Sequence, residues 1–213
     1  MLGVGSAEAL PAAPCAAAGI LDQSQTDTAT DMADILGPPV GVIPPRSVAQ
    51  TFTAGMSGAL TAVELFLGSN GVSDVEPITV EIRDTLAGAP GSTVLASTEI
   101  AAARVTPVAR WVAVAFADPA IVRSGTRYAI VSYTGGRTVY LWYCGVRTAE
   151  VSGALWATSE YPPTVEWDRV TTDLAAFRTY VREHRRPPER WRRVRDQGRL
   201  LVRRGRRESA TAR

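Results

Sequence analysis

The sequence predicts an all-β domain, an antiparallel β-sandwich with disordered N- and C-terminal tails. Three observations carry that expectation. Apolar residues recur with period two in several short runs, turn signals separate those runs at near-regular spacing, and no convincing helix falls between them. The clearest runs are Arg110 to Phe116 and Arg127 to Tyr133, which flank a loop holding Pro119 and the turn Ser124-Gly125-Thr126. Trp111, Ala113 and Ala115 alternate with Val112, Val114 and Phe116, and Tyr128 and Ile130 alternate with Ala129, Val131 and Tyr133. Both runs read as strands with at least one buried face, a scaffold pair with Trp111 and Tyr128 in the core.

The 213 residues fit one domain of about 150 to 170 residues plus tails. A hydrophobic content of 46% and an aromatic content of 7% exclude collagen-like and wholly disordered classes. All 23 basic residues are arginine, and they are unevenly spread. Residues 1–181 carry 10 Arg against 17 acids, a net of −7, and residues 182–213 carry 13 against 4, a net of +9. The domain is therefore mildly acidic and the tail strongly basic. Cys15 and Cys144 are too few for a disulfide framework, and no apolar run reaches the roughly 18 to 20 residues of a transmembrane segment.

In chain order, residues 1–19 are small and apolar with an Ala-rich end like the cleavage region of a secretory signal. The basic n-region and longer apolar core of a complete signal are missing, so the segment reads as a partial export signal or a disordered leader. Pro14 before Cys15 fits a lipid-modified cysteine poorly. Ile20 to Pro45 reads as a long loop, because the prolines of GPPVGVIPP prevent a continuous helix or central strand. Its acids Asp22, Asp27, Asp31 and Asp34 would suit calcium, but they lack the Gly and terminal Glu of an EF-hand. A solvated loop is the preferred reading, and whether a metal binds stays open.

Strands follow at Ser47 to Ala54, Leu60 to Leu67, Ile78 to Arg83, Thr93 to Ile100, the opening pair, Thr138 to Cys144, Ala154 to Thr158 and Asp173 to Val181. Val63, Leu65 and Leu67 share a face. Ile78, Val80 and Ile82 point inward, with Thr79, Glu81 and Arg83 directed to water. Val139, Leu141 and Tyr143 alternate with Tyr140, Trp142 and Cys144, a run apolar on both faces and expected to be covered on both.

The order LDQSQ (21–25), AQTFTAG (49–55), ALTAVELFL (59–67), ITVEIRD (78–84), STVLAS (92–97), WVAVAF (111–116), SGTRYAIV (124–131) and DLAAFRTYV (173–181) resembles a secreted bacterial β-sandwich repeat. It is similar to jelly-roll modules, including the choice-of-anchor type, found in surface proteins, beside polysaccharide-degrading domains and in phage tails. The resemblance covers about 160 residues and rests on strand order and turn placement. It implies fold more than function, and an extracellular or cell-surface location. The acids and prolines of 27–45 depart from the Gly- and Ser-rich leading loop of such modules.

Residue inventory narrows the chemistry. The only histidine, His184, lies beyond the last strand, so a Ser-His-Asp or Cys-His pair lacks its base. With no lysine there is no Schiff-base amine, and no Gly-rich phosphate loop or cofactor motif is present. Carboxylates Glu160, Glu166, Asp168 and Asp173 are the residues left for a small glycoside hydrolase. The same segment is richer in aromatics, and exposed aromatic faces stack on sugar rings while acids bond the hydroxyls. Trp142, Trp156, Tyr161, Trp167 and Asp168 are the expected ligand-binding residues, for a polysaccharide or surface glycan.

The tail, REHRRPPERWRRVRDQGRLLVRRGRRESATAR, changes character abruptly. It reads as a site for nucleic acid or anionic lipid, as a solvated disordered tail, or as a product of a shifted frame in GC-rich DNA. The sequence therefore yields a leader at 1–19, a sandwich at 20–182 and an Arg-rich tail at 183–213. The leading function is a non-catalytic binding or display module. The alternatives are a structural piece of a phage tail or surface fibre, and a small carboxylate-dependent hydrolase.

Overall fold

Period-two alternation becomes thirteen strands among the residues that the computed structural model describes: 19–28, 47–70, 76–135, 139–146, 153–160, 162–164, 166–170, 173–183 and the backbone of 33–36. They are β1 (Ile20–Gln25), β2 (Ala33–Leu36), β3 (Ser47–Thr53), β4 (Gly58–Ser69), β5 (Ile78–Leu86), β6 (Ala89–Ile100) and β7 (Arg110–Val122). After them come β8 (Arg127–Tyr133), β9 (Tyr140–Val146), β10 (Leu155–Thr158), β11 (Asp168–Val170), β12 (Asp173–Ala175) and β13 (Phe177–Glu183).

All pairings are antiparallel, and the strands form two sheets. One runs β1-β13-β4-β9-β12, with β7 along the other side of β4 and β2 on β9. The other runs β11-β10-β3-β8-β5-β6. From β3 onward the chain passes repeatedly from one sheet to the other, the connectivity of a jelly-roll sandwich. The leader apart from Gly19, and the Arg-rich tail apart from Glu183, lie outside the described residues.

The core lies between the sheets, where the inward set of each strand meets its counterpart. Val63, Leu65 and Leu67 of β4 face it, as do Ile78, Val80 and Ile82 of β5 and Val112, Val114 and Phe116 of β7. Phe52 of β3 touches Tyr128 at 6.1 Å and Phe177 of the opposite sheet at 5.9 Å, ring to ring, so aromatic packing joins the two layers. Each such side chain contributes about 1.5–3 kcal/mol when fully buried, enough to fix strand parity.

Several expectations change. The two opening runs, β7 and β8, lie in opposite sheets, and β7 continues through Pro119 to Val122. Proline is tolerated there because β7 has β4 as its only partner strand among the described residues. The long loop at 20–45 contains β1 and β2, which add to β13 and β9 respectively. Trp111 belongs to the outward set of β7 and is only half-buried, whereas Tyr128 is in the core as expected. β5 keeps its predicted parity, yet outward Glu81 and Arg83 are 6% and 5% exposed, so that face does not meet water there.

Candidate functional site

What covers Glu81 and Arg83 is the segment after β10. Arg83 donates from Nη1 to the carbonyls of Pro163 (3.0 Å) and Thr164 (3.4 Å), and Ser47 Oγ donates to the carbonyl of Glu160 (2.8 Å). Arg83 also grips Glu81, with Nε and Nη2 each 2.6 Å from Oε2, while Tyr133 donates its hydroxyl to Glu81 Oε1 at 2.8 Å. The segment thus forms a strap across the outer face of the six-stranded sheet. Trp167 and Trp156 pack there against Ala49, Ala129 and Val131, whose small side chains leave room for indole rings. Both indole nitrogens are shielded from solvent.

The sequence-predicted ligand residues are therefore scattered. Trp142 is fully buried in the core and donates its indole N–H to the carbonyl of Ala176 at 2.9 Å, so it cannot touch a ligand; this corrects the expectation. Trp156 and Trp167 are half-buried supports of the strap, and Asp168 is exposed at the start of edge strand β11. Tyr161 lies outside the described residues. The four carboxylates do not gather either, since Asp168 sits in the six-stranded sheet and buried Asp173 in the other. Glu160 accepts from the N–H and hydroxyl of Thr164, the hydroxyl foremost, and these bonds hold its carboxyl below the usual range. Among the described residues no group of three or more His, Cys, Asp or Glu could hold a metal. Asp31 and the side chain of Asp34 lie outside those residues.

The other sheet gathers a constellation the sequence did not announce. On the outward face of β4, Ala62, Glu64 and Phe66 alternate with core residues. Register sets Phe66 opposite Trp111 of β7, and Glu64 between Arg178 of β13 and Ala113 of β7. Phe66 meets Trp111 at 5.3 Å and 61°, and Tyr143 of β9 at 5.8 Å and 79°, both edge-to-face. Gly68 makes room for this row, because a Cβ there would sit 3.1 Å from the Tyr143 ring.

Beside the aromatic row lies a polar one. Glu64 Oε2 accepts from Arg178 Nη1 at 2.9 Å and from the Tyr180 hydroxyl at 2.8 Å. The Arg178 guanidinium reaches on to lie 4.0 Å from the centroid of Trp111, a cation–π contact that pre-orients it. Buried Ala62 and Ala113 form the floor, with Tyr180 packed on them.

The misassigned Trp142 holds this surface from below. Ala176, between β12 and β13, accepts at its carbonyl from Trp142 Nε1 and from Phe66 N–H (3.3 Å), and donates its N–H to the Tyr143 carbonyl at 2.9 Å. One backbone unit therefore ties together the strands bearing two of the three surface rings. No protein-family model and no curated protein matches the chain, so the chemistry of this surface rests on its own residues.

Proposed function

We propose that this protein is a non-catalytic, secreted or surface-attached module that binds carbohydrate on the outer face of its seven-stranded sheet. The observation that carries the reading is the half-buried row of Phe66, Trp111 and Tyr143 beside Glu64, Arg178 and Tyr180. A pyranose ring offers an apolar C–H face to aromatic rings and a rim of hydroxyls to donors and acceptors. Both are present here within a few ångströms, on rigid strands rather than loops, so little ordering cost opposes binding.

The strap side supports the reading less, because its tryptophans pack inward and its charged pair is already satisfied. A hydrolase is the weaker reading, since Glu64 is the only carboxylate in the surface constellation among the described residues and glycoside hydrolysis needs two. The test is glycan-array binding by the full chain, with Tyr143→Ala as the surface variant and melting temperature as the control. The expected result is glycan binding that Tyr143→Ala weakens about tenfold, with a melting temperature lowered by only a few degrees through loss of the Phe66 contact and no reducing-sugar release. An array without binding, or Tyr143→Ala binding as tightly as wild type, would falsify this assignment.

A further inference from the structure

The proposed carbohydrate surface carries a charge arrangement that constrains its ligand further. Glu64 is 15% and Arg178 32% exposed at the side chain, so both remain reachable. Glu64 Oε2 is committed to Arg178 and Tyr180, which leaves Oε1 as an open acceptor. Arg178 spends one N–H on Glu64 and keeps Nε and Nη2 as donors, with its Cζ held 4.0 Å from the Trp111 centroid. The site thus offers one anionic acceptor and one cationic donor set side by side, with a net charge of zero.

An anionic sugar would gain from Arg178 but meet Glu64 at nearly the same distance, and like charges placed together cost several kcal/mol in specific recognition. A pair of neighbouring uncharged hydroxyls fits both groups at once, one donating to Glu64 and the other accepting from Arg178. The rings add a second constraint. Their 61° and 79° interplanar angles make a ridge rather than a flat plate, which suits a single glycan chain and not a crystalline face.

Resting on the carbohydrate reading above, we infer that the ligand is a single chain of neutral sugars, and that Glu64 acts as a charge filter against acidic glycans. Glu64 is a specificity residue in this scheme. Its removal changes which ligand is preferred as well as how tightly one binds.

The experiment compares full-length wild type, Glu64→Gln and Arg178→Met on soluble glucomannan and on polygalacturonate, across a salt series. The basic tail is common to all three, so the differences between them report the sheet surface. Glu64→Gln keeps an acceptor for Arg178 and Tyr180, and its melting temperature checks that the fold is retained. Wild type is expected to bind glucomannan with little salt dependence, and Glu64→Gln to lose about fivefold to tenfold there while gaining on polygalacturonate. Arg178→Met should lose on both. If Glu64→Gln leaves polygalacturonate binding unchanged, or binds glucomannan like wild type, the charge filter is overturned and the carbohydrate reading stands. If wild type binds neither glycan nor any other on an array, the carbohydrate reading itself falls and this inference falls with it.

Discussion

Arg83 and Glu81 make the strongest single-residue commitment in the molecule. Both are nearly inaccessible, and every donor direction of the guanidinium that the structure describes ends on a carboxylate or a strap carbonyl. Removing one partner from such a pair leaves an uncompensated buried charge, a loss of about 3–5 kcal/mol, whereas replacing both with apolar groups is often close to neutral. Arg83→Met is therefore expected to lower the melting temperature by roughly 6–20 °C for a domain of this size. The double variant Glu81→Leu/Arg83→Met should recover most of it. Thermal denaturation of the three proteins checks this, and a double variant as unstable as the single would remove the buried-pair account.

The same two residues show how far parity can be read. Alternation placed Ile78, Val80 and Ile82 inward and Glu81 and Arg83 outward, because side chains on a strand change face at every residue. Their cover was not legible, since it comes from Pro163 and Thr164, about eighty residues later. At Trp111 parity itself was ambiguous. Trp111, Ala113 and Ala115 compete with Val112, Val114 and Phe116 for the core, and the second set won. Its three larger β-branched or aromatic side chains fill the inter-sheet space better than one indole and two methyls.

Among elements, the strap is held by polar contacts at both ends rather than by strand pairing, and Glu160 is its titratable latch. The Thr164 hydroxyl and N–H stabilise the ionised carboxylate, so its folded pKa lies below the unfolded one. A depressed carboxylate stabilises the fold fully above its unfolded pKa and stops doing so as the pH falls through the folded value. Wild type should therefore be more stable than Glu160→Ala at neutral pH, and the two should converge on acidification. Urea denaturation of both proteins at several pH values measures the difference. A gap that widened as the pH fell would have the wrong sign.

Element existence followed legibility of pattern. β5, β8 and the second half of β4 were plain because their inward residues are β-branched or long apolar chains on one parity. β1, with Asp22, Gln23 and Gln25 in a six-residue strand, shows no alternation, and it is a strand only because β13 lies beside it. Its pairing is wholly non-local, with Ile20 opposite Val181. The candidate site failed to show for the same reason. Phe66, Trp111, Tyr143 and Arg178 stand on four strands, and only register across β4 and β9 makes them neighbours.

For the whole molecule, the two outer faces have opposite treatments: the six-stranded sheet is roofed by the strap, and the seven-stranded sheet presents its aromatic and charged rows directly. The sandwich has its firmest backbone where a strand is paired on both sides and packed on the inner face. That describes β4 between β13 and β7, β3 between β10 and β8, and β8 between β3 and β5. β11 has three residues, two of them exposed, and pairs only with β10 among the described residues. Local openings draw on the least-paired elements, while strands central to both layers open only with the global transition. Native-state hydrogen exchange should then show the slowest amides in β3, β4 and β8, and β11 exchanging far faster. The proposed ligand surface, built on β4 and its neighbours, should be rigid before any ligand arrives, so saturating glycan should slow exchange little in β4 itself. Fast exchange across Gly58–Ser69 in the free protein, suppressed on glycan addition, would instead mean that the surface forms only on binding.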